Sequence, residues 1–103
     1  MGIDYRKPVI VAKIKSFIMA NGYFYPAIYI GIAQIPEERL FNDHNVQEPD
    51  AAYFYENAFT QERAIAIKQH FLGLGCKGNA DIGDDSTTFV YAYLITPSTN
   101  QDA

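Results

Sequence analysis

Tyr29, Arg39 and His44 bring a phenol, a guanidinium and an imidazole into one short stretch of the chain. The trio suits phosphate chemistry: an Arg fork clamps phosphoryl oxygens, while Tyr or His moves protons. The stretch runs Ala27-Ile28-Tyr29-Ile30-Gly31-Ile32-Ala33-Gln34-Ile35-Pro36-Glu37-Glu38-Arg39-Leu40-Phe41-Asn42-Asp43-His44-Asn45. It reads as an apolar strand broken at Gly31, a turn, and a helix opened by Pro36, whose preset φ and missing N–H suit a first helical turn. Tyr29 falls on the strand, Arg39 early in the helix and His44 at its end. Folded back on itself, a strand-turn-helix carries all three to one surface. Each residue also has a plainer reading. Arg39 can pair with Glu38 or Asp43, Tyr29 can be one more sheet tyrosine, and His44 can cap helix carbonyls.

Tyr29-Ile30-Gly31, followed eight residues after the glycine by Arg39 and then Leu40, with His44-Asn45 beyond, resembles the second half of the GIY-YIG nuclease signature. The resemblance implies a small three-stranded sheet covered by helices. It also implies DNA cleavage with a divalent metal held by one helical Glu, a Tyr as base or nucleophile activator, and an Arg on the scissile phosphate. On that resemblance Tyr29, Arg39 and His44 are the catalytic candidates, with Gly31 and Lys68 bordering the substrate. Two departures stand against a simple transfer. The first signature, Gly-Ile-Tyr on a strand paired to the second, is expected about ten residues upstream on the family pattern, whereas Gly22-Tyr23-Phe24-Tyr25 lies too close to Ile28–Ile30 to form a hairpin. The metal-binding Glu is expected in a Glu-x-Ala-x-x-x-Glu pattern, which falls on Glu62-Arg63-Ala64-Ile65-Ala66-Ile67-Lys68 and puts Lys68 in its place. An ammonium has three donors and no acceptor, so it repels a cation instead of ligating one.

The expectation is therefore a GIY-YIG-like domain with hydrolysis impaired or absent. It binds a phosphate-bearing nucleic acid or an acidic protein through a Tyr29/Arg39 surface, with no cofactor. One alternative is an active endonuclease using Mg or Mn, with the missing carboxylate relocated to Glu62, Asp84 or Asp85. Another is an interaction module that uses a tyrosine-rich sheet face.

Other chemistry is sparse. Asp81-Ile82-Gly83-Asp84-Asp85-Ser86 groups three carboxylates, a spacing a hard cation tolerates, but it departs from the EF-hand pattern and reads as a solvated acidic turn. Cys76 follows two glycines with no nearby His to activate it, and His70 reads as structural or exposed. There is no phosphate-cradling Gly-rich loop, no Cys/His metal spacing and no serine elbow.

The elements that must position these residues fit one domain. The chain has 103 residues, 49% of them hydrophobic and 19% charged, enough for a single core. Eight Tyr and seven Phe with no Trp suggest half-buried sheet faces with polar tips, or a stacking surface. The formal charge of −4 disfavours non-specific nucleic-acid binding, though its distribution is uneven. Arg6, Lys7, Lys13 and Lys15 face only Asp4 in residues 1–15, and Arg63, Lys68 and Lys77 make 63–77 basic, so the first and third helices can share a small basic surface. Between them, residues 37–62 hold seven acids against Arg39 alone. The lone Cys fits a reducing cytoplasm, and no apolar run or leader pattern marks a membrane or exported chain.

Periodicity gives helix over 7–20, started by Asp4 and Pro8 with Val11, Ile14 and Ile18 inward and stopped at Asn21-Gly22. Strands follow at 27–33, 51–59 and 87–95, the second with Tyr53, Tyr55 and Asn57 on one face. A third helix capped by Thr60 runs to about Gly73, with Ala64, Ile67, Phe71 and Leu74 facing the core. The order helix, strand, helix, strand, helix, strand predicts α+β, though alternation alone also permits a small α/β sandwich with parallel pairs. Residues 97–103 read as a mobile polar tail.

Overall fold

The structure, a computed structural model, describes residues 6–47 and 52–101. Asp4, read as part of the first helix start, and Ala51, read as the start of the second strand, lie outside them. Helix α1 spans Arg6–Ala20 and buries Ile10, Ile14 and Ile18, one residue per turn. Strand β1 spans Ile28–Ala33, β2 Tyr53–Asn57 and β3 Phe89–Leu94, and helix α2 covers Gln61–Leu74 between β2 and β3. Thr60 caps α2 by accepting the Arg63 N–H at 3.1 Å, and Gly75 ends it at φ 112°. Leu74, expected in the core, is 40% exposed because the helix finishes there.

The three strands form an antiparallel sheet in the order β1-β3-β2. The fold is a small α+β one, and the strand last in sequence is central. Alternation divides the sheet cleanly. Ile28, Ile30, Val90 and Ala92 face α1 and α2 and make the larger core with Ile14, Ile18, Ile67 and Phe71. Tyr29, Ala33, Tyr91 and Tyr93 face the other way and build a second cluster with Leu40 and Val46. The chain after α2 runs beside the outer edge of β1, with Lys77 bridging Tyr29 in parallel sense; Ile30 N–H donates to Lys77 O at 2.8 Å and Lys77 N–H to Ile28 O at 2.9 Å.

The helix expected after Pro36 is a single wide turn. Glu38–Asp43 is π-helical, closed by His44 N–H donating to Arg39 O at 2.8 Å. The wide turn drops Leu40 and His44, both fully buried, onto the second sheet face. On its outer side Arg39 and Asp43 pair at 2.7 Å.

Candidate anion site

Tyr29, Tyr91 and Tyr93 line up because strand register puts them there. Tyr29 is opposite Tyr93, and Gly31 is opposite Tyr91. Tyr29 stacks on Tyr93 with centroids 5.1 Å apart and on Tyr91 at 6.3 Å. Gly31 is what lets Tyr91 lie flat on the strand: a Cβ there would stand 2.3 Å from Tyr91 Cζ. The missing side chain is filled by a phenol from the neighbouring strand.

His44 enters this aromatic layer from above. Its Nε2 lies 2.9 Å from the Tyr91 hydroxyl, and its Nδ1 lies 2.7 Å from Asn100 O and 3.0 Å from the Tyr93 hydroxyl. Burial holds the imidazole below its ordinary pKa, with Arg39 pushing the same way and the Asn100 bond and Asp43 opposing. Burial, reinforced by Tyr29, pushes Tyr91 up to about 12, although Arg39 hydrogen-bonds to its oxygen and pulls it down. The phenol is thus neutral across the physiological range.

Arg39 connects the layer to solvent. It donates to Tyr91 and to Asp43, and its side chain keeps 29% exposure. With Ala33, Asn79, Asp81, Gly83 and Thr87 it lines a cleft of about 270 Å³ at the end of β1. The far wall of that cleft is fixed by hydrogen bonds. Lys68, buried on α2, donates to Asn79 Oδ1 at 3.2 Å and to Asp81 O at 2.7 Å, and Asp81 N–H returns to Asn79 Oδ1 at 3.0 Å. Burial lowers the Lys68 pKa, and the charge of Asp81 partly offsets this. Gly83 sits at φ 65°, where a Cβ would strike Thr87 Oγ1. Asp84 closes the turn by accepting from Ser86 N–H at 2.9 Å and Ser86 Oγ at 2.6 Å, and these bonds lower its pKa.

The residues singled out from sequence are therefore dispersed over three depths. Arg39 reaches the cleft. Tyr29, Gly31 and His44 lie behind it, with His44 joined to Arg39 through Tyr91. Lys68 braces the opposite wall through Asn79 and Asp81. Of the carboxylates proposed as substitutes, Glu62 lines a separate groove between α1 and α2 with Lys7 and Arg63, and Asp84 is engaged in its own turn; the cleft takes Asp81 instead. Among the described residues no group of three or more His, Cys, Asp or Glu is placed to hold a metal ion. Sequence reasoning missed Tyr91, Tyr93 and Asn79, and it read Asp81 only as part of a solvated acidic turn. The alternation Tyr91-Ala92-Tyr93 signals two phenols on one face, while the long-range pairing that brings them to Gly31 has no local signal. The polar residues 97–101, read as a tail, include Asn100, which is hydrogen-bonded to His44.

Burial also decides two other features, the thiol and the tyrosine-rich sheet face. It raises Cys76 to about 11, which leaves the thiol without nucleophilic character at neutral pH. The tyrosine-rich face offered as an interaction surface is mostly covered, since Tyr29, Tyr91 and Tyr93 are at most 2% exposed, against 39% for Tyr55. Among the described residues no helix is long and apolar enough to cross a membrane. Comparison of the chain with protein-family models, curated proteins and solved structures finds no match in any of the three.

Proposed function

We propose that this is a diverged GIY-YIG nuclease-like domain that binds a phosphate-bearing partner, nucleic acid by preference, at the Arg39 cleft, with cleavage impaired or absent. The observation that carries this reading is Arg39 itself: a guanidinium braced from behind by Tyr91 and from the side by Asp43, with its head at an open cleft. Such bracing holds a fork of donors ready for phosphate oxygens. The strand paired to Tyr29-Ile30-Gly31 carries tyrosines, but it is β3, from late in the sequence, and not the upstream strand that the family pattern has. Impairment is supported by Lys68, whose ammonium stands among the oxygens of Asn79 and Asp81 where the family pattern expects a metal-binding Glu. A reducing cytoplasm suits the single thiol.

Asp81 in the cleft favours one alternative, an active Mg- or Mn-dependent endonuclease with a relocated carboxylate. One experiment separates the two. Labelled DNA oligonucleotides are titrated at low and moderate salt, and plasmid is incubated with Mg or Mn, for the natural protein and for Arg39→Ala. The binder retains DNA in a salt-sensitive way, and Arg39→Ala weakens it about tenfold or more, as loss of a charged hydrogen bond requires. Plasmid cleavage that disappears with Arg39→Ala supports the enzyme. Retention that is insensitive to Arg39 removes the site reading.

A further inference from the structure

The chain beyond β3 folds back onto the site. Thr96 and Thr99 form a turn held by their own side chains, Thr99 Oγ1 donating to Thr96 O at 2.9 Å and accepting the Thr96 N–H at 3.0 Å. Two bonds fasten this turn to the segment below: Asn45 Nδ2 donates to Ser98 O at 2.8 Å, and Asn100 N–H donates to His44 O at 2.7 Å. In return, Asn100 O stands 2.7 Å from His44 Nδ1. A carbonyl only accepts, so Nδ1 carries the ring proton, and in the neutral imidazole Nε2 is bare. The Tyr91 hydroxyl, 2.9 Å from Nε2, then has to donate to it. Its oxygen is left as the acceptor for Arg39.

We infer that the Thr96–Asn100 turn is a positioning element of the Arg39 site: by fixing the tautomer of His44, the Asn100 carbonyl fixes the direction of the hydrogen bonds that run through Tyr91 to Arg39. This goes beyond the anion-binding reading and rests on it only for the binding measurement below. The competing partner is already in place. The Tyr93 hydroxyl lies 3.0 Å from Nδ1 and can donate to it once the carbonyl withdraws. The ring proton then sits on Nε2, the imidazole donates to Tyr91, and the Tyr91 oxygen is shared between two donors. The anchorage of Arg39 changes while every formal charge stays the same.

The test removes the fastening and keeps the chain. Asn45→Ala/Asn100→Pro deletes two of the three bonds that hold the turn down and leaves the Asn100 carbonyl to hold Nδ1 unaided, and Asn100→Ala, which keeps the backbone groups, is the control. Long-range proton–nitrogen NMR above the His44 titration range reads the tautomer, and titration with inorganic phosphate reads the cleft. The natural protein and the control keep the proton on Nδ1. In the unfastened variant it moves to Nε2 or divides between the two nitrogens, and phosphate affinity falls about two- to tenfold, the worth of one neutral hydrogen bond. An unchanged tautomer overturns the inference, and so does an altered tautomer with phosphate affinity intact. Should the double variant not fold, Thr99→Ala loosens the turn through its two side-chain bonds alone and is read the same way. A natural protein that ignores phosphate defeats the anion-site reading instead, and the tautomer comparison still judges the turn.

Discussion

Gly31→Ala places a methyl group where the structure has a phenol. The new Cβ would stand 2.3 Å from Tyr91 Cζ and 2.4 Å from its oxygen, whereas non-bonded carbons settle at about 3.5–4.0 Å. Tyr91 therefore has to retreat by about 1 Å or more. It has no slack for this, being 1% exposed and packed between Tyr29 and His44. Overpacking of this kind costs about 1–3 kcal/mol. Pulling the hydroxyl away from His44 Nε2 leaves a buried acceptor unmatched, at about 1–3 kcal/mol more. The expected loss of about 2–6 kcal/mol is a large part of the about 5–15 kcal/mol by which domains are stable. Urea unfolding followed by circular dichroism measures it as a lowered midpoint with little change of slope. The decisive comparison is made in a Tyr91→Ala background, where the ring is gone and the same methyl should cost under about 1 kcal/mol. A cost below about 1 kcal/mol in the natural background, or an equal cost in both, refutes the packing argument.

Other expectations follow from the same geometry. Lys68→Met leaves Asp81 O without its donor and Asn79 Oδ1 with the Asp81 N–H alone, at about 1–3 kcal/mol, and deprotects the amides of residues 78–83 to hydrogen exchange; unchanged protection would show that the ammonium does not hold that wall. Lys68→Glu sets a carboxylate against those two oxygens, so the variant is destabilised and millimolar Mg or Mn restores its melting temperature; sodium at equal ionic strength is the control. For His44 the sign is set by its lowered folded pKa: the unfolded chain takes up the proton first as pH falls below 6.5, so stability declines from there until the folded value is passed. Urea midpoints at pH 7.5 and pH 5 should therefore differ more for the natural protein than for His44→Gln. Cys76, raised to about 11 by burial, should resist thiol reagents at pH 8 until the protein unfolds, and rapid labelling of the native state would show that the packing around it opens.

The elements were legible in the sequence because their signals are local. Ile14 and Ile18 repeat at helical spacing with Ile10 completing the buried stripe in place of the expected Val11, Thr60 caps α2, and Tyr53, Tyr55 and Asn57 alternate along β2. The site was legible only in part. Arg39, which lines the cleft, was singled out by its spacing from Gly31, and Lys68, which braces the cleft wall, because its type broke an expected pattern. Its neighbours came from pairings remote in sequence: Tyr91 meets Gly31 across the sheet, and Asn100 meets His44 from beyond β3. Polar composition made residues 97–101 look like a tail, since no local rule distinguishes a solvated carbonyl from one that accepts an imidazole proton. The π-helical turn was equally hidden, because Pro36 and two glutamates announce a helix start without announcing its width.

The central position of β3 governs how the molecule can be made. Neither β1 nor β2 has a partner strand until residues 89–94 are available; before them, among the described residues, β1 has only its single bridge to Lys77. On the ribosome the aromatic and β-branched segments at 28–33 and 53–57 emerge with unpaired edges and must wait. A chain cut before residue 89 lacks the strand that pairs with both 28–33 and 53–57 and leaves their edges open. Arg39 acquires its brace only when Tyr91 arrives, so the last strand completes both the sheet and the surroundings of that guanidinium.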